Sequence, residues 1–337
     1  MKKTLSRREA LKVGLLGAAG VASATNLAVG SPSAAGAMLG LHSDPHTVMT
    51  GGLPADSGLD PVAFLTDFDY GEVSRRPNGQ RVREYSIAAV DRRIEVMPGL
   101  YYDAWTYNGR VPGPTLRATE GDLVRVHFRN AGAHEHTIHF HGFHPANMDG
   151  VFEQVQPGGT YVYEFEAAPF GLQLYHCHSL PIKKHIAKGL YGAFIIDPQR
   201  SRPTARELVM VLNGFDVNYD GENEVYAANT VPFAYQVSPI PIRKDELVRI
   251  YLVNVLEFDL VNSFHLHGNF FHVYRTGTKL QPDDFTDNVM LCQGERHILE
   301  FTYRRTGRFM FHAHQSEFTE LGWMGLFDVR DGEGLVT

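Results

Sequence analysis

A pair of histidines separated by one residue occurs four times in this chain, and the order of the pairs divides the sequence into two similar halves. Each half first carries His-x-His-Gly, at residues 139–142 and 265–268, and later closes on His-x-His, at residues 176–178 and 312–314. In both halves a Pro-containing turn and an alternating strand ending at Asn precede the first motif. Repeats of this length are whole domains rather than solenoid units, so two related domains are predicted.

Strand geometry directs both imidazoles of each pair to the same side. Alternate side chains of a β-strand share a face and lie about 6.5–7 Å apart. One such pair can arise by chance on an exposed strand, but four pairs at matching places in two repeats indicate a multinuclear metal site. Imidazole suits copper among other metals. The eight predicted ligands are His139, His141, His176, His178, His265, His267, His312 and His314.

The same alternation predicts a second set of ligands in the first half only. Cys177 lies between the two histidines of its motif, so its sulfur faces the other side of that strand, and His136 lies opposite its own neighbouring pair in the same way. His185 follows in a predicted loop that starts at residue 179. Two imidazoles and a cysteine are the ligand set of blue copper. A ligating thiolate cannot also form a disulfide, so Cys292 is predicted to be a buried free cysteine.

The second half has lost this set position by position. Asn262 stands where the first half has His136, and Ala313 stands where it has Cys177. Residues 315–320, which follow the last His-x-His, contain no histidine. The second half has lost the whole cysteine-containing ligand set but keeps its His-x-His pairs. This indicates that the two faces of the strands serve different metal centres.

Short alternating strands between Gly and Pro turns predict an all-β fold of two β-sandwich domains. The first domain is expected over residues 80–200 and the second over residues 205–331, with a linker at 198–203. Residues 38–79 form an N-terminal extension in which an apolar patch at 62–68 is the main pattern.

The first residues are typical of an export signal. Residues 6–12, SRREALK, are close to a twin-arginine motif, and an apolar, small-residue stretch follows to about residue 30. A membrane anchor is the alternative, but Ser23, Thr25 and Asn26 interrupt a stretch that barely reaches spanning length. We therefore expect a signal peptide over residues 1–37, export by the twin-arginine route, and a periplasmic or extracellular protein.

The charge of the chain argues against nucleic acid and anionic membranes as partners. The formal net charge of the 337 residues is −7. The predicted signal peptide contains more basic than acidic residues. The chain without it therefore has a more negative net charge. An acidic surface repels phosphate-rich partners.

Four motifs together resemble a known family, the two-domain multicopper oxidases, which are laccase-like relatives of the copper nitrite reductases. The motifs are Ile138–Gly142, Tyr175–His178, Phe264–Gly268 and Phe311–His314, and the likeness covers residues 80–330. The resemblance implies two cupredoxin-like Greek-key β-sandwich domains. It also implies four coppers per functional site, of which one is type 1, one is type 2 and two form a binuclear type 3 pair.

The resemblance further implies which residue holds which copper. The type 1 ligands would be His136, Cys177 and His185, and the type 2 ligands would be His139 and His265. The type 3 ligands would be His141, His176, His178, His267, His312 and His314. The position of an axial methionine holds Leu190, which cannot ligate copper, so a relatively high type 1 potential is expected.

In relatives, the cluster lies between the first domain of one subunit and the second domain of the next, in a homotrimer. The sequence shows only that each domain supplies four ligands. It leaves open whether the cluster forms within one chain or between chains.

The activity implied is the oxidation of a small donor by dioxygen, which is reduced to water. We expect electrons to arrive through an exposed edge of His185 and to pass along Cys177 to its flanking histidines. Asp287, just after the His-x-His-Gly of the second domain, is the candidate proton donor, with a plain turn aspartate as the alternative. Phenols, metal ions and a small redox protein all remain open as the donor.

Two other functions remain as alternatives. The long segment between Cys177 and His185 is more like that of the copper nitrite reductases, which form nitric oxide. Those enzymes carry an aspartate at the position of His139, however, and a residue that binds no metal at the position of His178. A blue-copper electron-transfer or copper-binding protein would need no His-x-His pairs in the second domain.

Overall fold

The computed structural model describes residues 59–332, and these residues form an almost entirely β structure. The predicted all-β class is therefore confirmed. The predicted signal peptide and residues 38–58 of the predicted extension lie outside the described residues. Within residues 59–332, no helix combines the length and the hydropathy needed to cross a membrane.

Ten strands form two sheets in the first half. They are β1 (Phe68–Asp69), β2 (Glu72–Arg75), β3 (Arg81–Met97), β4 (Leu100–Tyr107), β5 (Thr115–Thr119), β6 (Leu123–Asn130), β7 (His139–Phe140), β8 (Thr160–Glu166), β9 (Gly171–His176) and β10 (Tyr191–Asp197). One sheet has the order β1-β5-β10-β9-β7, and the other has the order β2-β3-β6-β8 with β4 paired to β3. The sheets mix parallel and antiparallel pairs, since β5 runs parallel to β10 and β9 antiparallel to it.

Eleven strands form two sheets in the second half. They are β11 (Arg206–Phe215), β12 (Val225–Ala228), β13 (Ile240–Arg243), β14 (Val248–Asn254), β15 (Val261–Leu266), β16 (Phe271–Arg275), β17 (Asp284–Thr286), β18 (Asn288–Cys292), β19 (Arg296–Phe301), β20 (Gly307–His312) and β21 (Met324–Arg330). Their orders are β12-β11-β14-β19-β16-β17 and β13-β21-β20-β15-β18.

Helices are few and short. They are α1 (Pro61–Phe64), a 3₁₀ turn (Ala146–Met148), α2 (Ile182–Ala187), α3 (Ala234–Val237) and α4 (Ser316–Glu320). Helices α2 and α4 stand at equivalent places, because each follows the closing His-x-His of its half.

Strand β6 shows how the alternating pattern builds the core. Val124, Val126 and Phe128 are almost fully buried, whereas His127 and Arg129, which alternate with them, are exposed. Burial of each large apolar side chain contributes about 1.5–3 kcal/mol to the free energy of unfolding. A polar residue on the inner face would interrupt the packed layer that carries the histidine-bearing strands.

The end of the predicted extension ties the two halves together. Asp60 caps α1 by accepting from two backbone amides, and β1 adds to the first-half sheet beside β5. The carbonyl of Leu65 accepts from the amide of Val209, and the Tyr235 hydroxyl donates to the carbonyl of Pro61, both in the second half. The described part of this segment is therefore packed structure rather than a loose tail.

A buried arginine of the first half forms ion pairs that reach the second half. The Arg117 guanidinium, which is 8% exposed, donates two hydrogen bonds to Asp197 at 2.8 and 2.9 Å and two to Glu207 at 2.6 and 3.1 Å. Glu207 also accepts from Arg249 at 3.0 Å and from the Tyr251 hydroxyl at 2.7 Å. Removing one member of such a network leaves a poorly solvated charge.

Replacing Arg117 with methionine is expected to lower the free energy of unfolding by about 2–4 kcal/mol, because Asp197 and Glu207 lose their shared partner. Arg76→Met is the matched control, since Arg76 pairs with Glu164 on an open surface where both side chains are more than a third exposed. Its expected cost is below about 1 kcal/mol. Urea denaturation of both variants checks this, and equal losses would contradict the special role of Arg117.

Candidate metal centres

Strand pairing gives the four His-x-His motifs the same register in both halves. His139 of β7 lies directly opposite His176 of β9, and His265 of β15 lies directly opposite His312 of β20. The ring centroids are 5.2 Å apart in the first pair and 5.3 Å apart in the second. In each half, the strand register therefore pairs the first histidine of the His-x-His-Gly motif with the first histidine of the closing His-x-His motif.

Each half gathers its remaining two imidazoles around this pair. In the first half the ring of His139 lies 5.1 Å from that of His141 and 5.5 Å from that of His178. In the second half the ring of His265 lies 5.0 Å from that of His267 and 5.3 Å from that of His314. The structure therefore places the eight predicted histidines in two sets of four, one in each half.

Backbone carbonyls fix the orientation of four of these rings. The Nδ1 atoms of His139 and His265 lie 2.7 and 2.8 Å from the carbonyl oxygens of Asp149 and Asp287. The Nδ1 of His176 lies 3.0 Å from the carbonyl of Cys177, and His312 makes the same contact with Ala313. A carbonyl only accepts, so each Nδ1 carries the proton and each Nε2 keeps its lone pair.

Two of these rings, those of His176 and His312, direct the free Nε2 at another imidazole. The Nε2 atoms of His141 and His176 are 3.3 Å apart, and those of His267 and His312 are 2.9 Å apart. Burial and the neighbouring histidines lower the pKa of His141 to about 3, and burial lowers the pKa of His176 to about 4. Neutral imidazoles whose ring nitrogens lie this close together form a donor set suited to a metal cation.

A separate set of donors lies on the other side of β9. The Sγ of Cys177 is 3.2 Å from the Nδ1 of His185 and 3.9 Å from the Nδ1 of His136, and the two Nδ1 atoms are 3.2 Å apart. All three residues are buried. Burial raises the pKa of the Cys177 thiol and lowers the pKa of His136 to about 3. A bound cation would stabilise the thiolate in such surroundings, and this set of one sulfur and two nitrogens fits copper.

Apolar side chains pack around this second set. Leu190 is fully buried in the same hydrophobic cluster as Cys177, and its carbonyl accepts from the Cys177 amide at 3.0 Å. The Thr137 amide lies 3.4 Å from the sulfur and donates to it.

The equivalent place in the second half is filled by packed side chains. Asn262 and Ala313 are buried, and the Trp323 indole donates to the carbonyl of Ser263 at 3.1 Å. The Trp323 ring also packs against Phe311, at a centroid distance of 6.0 Å. The lost ligands have thus been replaced by an ordinary core.

Three sequence-based expectations were wrong. His185 lies on α2 rather than in a loop, because residues 182–187 close a helical turn after Pro181. No edge of His185 is open to solvent, since the residue is 3% exposed and the Trp105 ring packs against it at 4.8 Å. Cys292 is exposed rather than buried, because the alternation of β18 points it outward.

Asp287 lies beside the second set of histidines, but its contact is mainly through the backbone. Its carboxylate is 4.0 Å from the Nδ1 of His265 and nearly half exposed. Asp149, to which the sequence assigned no role, has its carboxylate closer, 3.0 Å from the Nδ1 of His139. The matching positions of the two aspartates in the repeat were the signal that could have revealed this role.

Sequence reasoning also missed two hydroxyls and one aromatic ring. Thr137 accepts from the His178 amide at 3.0 Å, and Ser263 accepts from the His314 amide at 2.7 Å, so both steady the closing motif. Trp105 contacts His185, as described above. The two hydroxyl residues occupy equivalent positions in the repeat, directly after His136 and Asn262. This equivalence is the sequence signal that could have revealed their shared role.

Comparison with known proteins agrees with a copper-binding, two-domain β structure. Residues 91–201 and 202–333 each match a family described as multicopper oxidase. A solved structure of a multicopper oxidase is 53% identical, with a TM-score of 0.81, over 81% of this chain and 98% of its own. A blue copper oxidase from Nitrosomonas europaea is 27% identical, with a TM-score of 0.68, over 74% of this chain and 86% of its own.

The copper-containing nitrite reductase of Neisseria gonorrhoeae is also similar, at 28% identity over 67% of this chain. The match covers 62% of the length of that reductase, so the chain spans less than two thirds of this curated relative.

The fold and the two histidine sets define a protein of the cupredoxin class with two similar β-sandwich halves. The strong match over most of both chains allows a narrower statement. The chain belongs to the multicopper oxidase family, whose members are copper oxidoreductases.

Proposed function

We propose that this protein couples the one-electron oxidation of a small donor to the four-electron reduction of dioxygen to water. The observation that carries the proposal is the repeated four-imidazole set, which has the same strand register and the same carbonyl-fixed rings in both halves. A protein that used only the buried Cys177 set would have no need of the second half's histidines.

The assignment of residues to coppers is part of this proposal, and it is supported by the grouping of the side chains and by the resemblance to the family. The type 1 site would use His136, Cys177 and His185, and the type 2 site would use His139 and His265. The type 3 pair would use His141, His176, His178, His267, His312 and His314. Copper bound at these sites would supply one-electron redox chemistry and the reduction of dioxygen.

The protein's own residues supply position, a path and a dry environment. Cys177 is covalently continuous with His176 and His178, so it joins the buried donor set to the first histidine set through a few bonds. The carbonyls of Asp149 and Asp287 hold two rings in the orientation described above. Asp287 would hold a proton near His265 at its half-exposed carboxylate. Asp149 is placed to act in the same way beside His139.

The site is completed, in this proposal, by a second copy of the chain. Residues 80–200 and 205–331 would form the two domains, each offering half of a cluster, and a homotrimer would join the first domain of one chain to the second domain of the next. Each half contains its own pair of facing histidines, and His267 in the second half is exposed in the single chain. Export by the twin-arginine route to the periplasm or beyond belongs to the same proposal.

Nitrite reduction is the second candidate, and the similarity to the nitrite reductase of Neisseria gonorrhoeae favours it. Against it stands His139, which lies in the first histidine set where the resemblance implies that those reductases carry an aspartate. Eight imidazoles also exceed what a single type 2 copper requires.

The proposed reaction is tested by its stoichiometry. With a phenol as donor, the copper-loaded protein is expected to consume one dioxygen for every four donors oxidised, without releasing peroxide. An oxygen electrode and a radical-specific absorbance measure the two quantities. Nitric oxide formed from nitrite at a comparable rate, with no dioxygen uptake, would contradict the proposal.

A further inference from the structure

Thr137 is a fully buried residue that lies between His136 of the Cys177 set and His139 of the first histidine set. Its amide donates to the sulfur of Cys177 at 3.4 Å, and its hydroxyl accepts from the amide of His178 at 3.0 Å. An N–H group that donates to a thiolate draws electron density from the sulfur, and such hydrogen bonds tune the potential of a copper site. The placement of Thr137 therefore bears on the chemistry of the Cys177 set.

Two tyrosines hold the peptide group that follows Thr137. The hydroxyl of Tyr107 donates to the Thr137 carbonyl at 2.6 Å, and the hydroxyl of Tyr163 accepts from the Ile138 amide at 2.9 Å. This carbonyl and this amide belong to one peptide group, so each of its polar atoms is bonded to a tyrosine. The two tyrosines, which we call the tyrosine clamp, are fully buried. Burial and the neighbouring Cys177 raise the pKa of Tyr107, and burial raises the pKa of Tyr163, so both hydroxyls keep their protons.

The second half shows what replaces Tyr107 where the cysteine has been lost. Strands β4 and β12 are each followed by an asparagine with positive φ, Asn108 at 54° and Asn229 at 55°. In both cases the asparagine side-chain oxygen accepts from a backbone amide of the neighbouring strand, β3 or β11. Tyr107 directly precedes Asn108, and its counterpart before Asn229 is Ala228.

Tyr163 also has a counterpart without a hydroxyl. It pairs with Val126 of β6, and Leu299 pairs with Ile250 of β14. Strands β6 and β14 both end at an asparagine, and Val126 and Ile250 precede that asparagine by the same distance along the chain. The second half therefore lacks both members of the tyrosine clamp, together with the ligands of the Cys177 set.

The fold itself can satisfy this carbonyl without a tyrosine. In the second half the equivalent carbonyl, that of Ser263, accepts from the indole of Trp323 at 3.1 Å. Trp323 stands at the position of Leu190, since its carbonyl accepts from the Ala313 amide as that of Leu190 accepts from the Cys177 amide. A tyrosine on β4 supplies the same hydrogen bond without placing a bulky ring at the position of Leu190, next to the cysteine.

We propose that Tyr107 and Tyr163 are positioning residues, which fix Thr137 so that its amide stays on the sulfur of Cys177. The inference rests on the copper site proposed for the Cys177 set. A buried carbonyl or amide that loses its partner is costly, so removing either hydroxyl favours a shift of the backbone toward another partner. The shift would weaken the hydrogen bond to the sulfur. The thiolate would then donate more strongly to a bound copper, which would become harder to reduce.

Tyr107→Phe and Tyr163→Phe each remove one hydroxyl of the tyrosine clamp and keep the ring that fills the core. In the copper-loaded, full-length protein, each is expected to move the equilibrium constant for reduction of the cysteine-bound copper about three- to tenfold toward the oxidised form. A redox titration against a one-electron mediator, followed at the copper–thiolate absorption, measures this constant. The absorption maximum should move as well. Because the two hydroxyls hold opposite ends of one peptide group, either variant that folds is sufficient for the test.

Tyr85→Phe is the matched control. Tyr85 is 2% exposed in the same half, and its hydroxyl donates to the carbonyl of Arg117 at 2.7 Å, away from the Cys177 set. The control should lose stability in urea to a similar degree, because it also leaves a buried carbonyl without its donor, but should keep both the equilibrium constant and the absorption maximum.

Clamp variants that differ no more than Tyr85→Phe from the unmodified protein would overturn the inference. An unmodified protein without copper–thiolate absorption would contradict the proposed copper site and this inference together. A shift confined to the clamp variants would support the inference even if dioxygen is not the acceptor, since neither measurement involves turnover.

Discussion

Replacing Cys177 with serine is expected to reduce donor oxidation by more than about 100-fold, since even indirect partners of a metal ligand cost 10- to 100-fold when removed. The serine hydroxyl keeps the volume but offers no thiolate, and it breaks the path between the buried donor set and the flanking histidines. Dioxygen uptake with a phenol measures the loss. The strong visible absorption of a copper–thiolate bond should vanish at the same time.

Cys292→Ser is the matched control for this prediction. Cys292 is the other cysteine of the chain and is exposed at the end of β18. The control variant is expected to keep both the visible absorption and the rate of dioxygen uptake. A Cys177→Ser protein that oxidises phenol at the normal rate would contradict the proposed role of the buried donor set.

Mixing two inactive variants is expected to restore activity if the cluster is shared between chains. His141→Asn disables the histidine set of the first half, and His267→Asn disables that of the second. Each variant alone should be inactive. In trimers reassembled from equal amounts of both, about one quarter of the interfaces would join an intact first half to an intact second half, because a head-to-tail ring pairs each half with a neighbour.

The control for this experiment is the double variant, with both substitutions in one chain, mixed with either single variant. Every interface then lacks at least one histidine set, so no activity should return in either mixture. A cluster formed within one chain predicts no recovery in any mixture. Recovery to about one quarter and no recovery are readily distinguished by dioxygen uptake.

The sequence was sufficient to predict which side chains share a strand face, but not which residues pack against that face. Alternation alone assigned Cys177 and His136 to one side of their strands and the His-x-His pairs to the other, because the side-chain period of a strand is fixed. The all-β class followed from the same pattern. Both predictions depend only on local geometry.

Tertiary packing decided the points that local patterns could not predict. Trp105 is distant in the chain from His185, so its position over that ring depends on how β4 meets α2. The outward position of Cys292 depends on the register of β18 against β15. The contact from His139 to the Asp149 carbonyl depends on how the loop after β7 folds back, although the repeat would have indicated it once Asp287 had been considered.

The central claim is that two histidine sets and one cysteine-containing set together hold a multinuclear copper assembly. The most direct test is the copper content of the purified, copper-loaded protein, measured per chain alongside its visible and EPR spectra. Four coppers per chain are expected, of which the type 3 pair is EPR-silent. Two coppers per chain, both EPR-visible, would contradict this claim and would favour the nitrite reductase alternative.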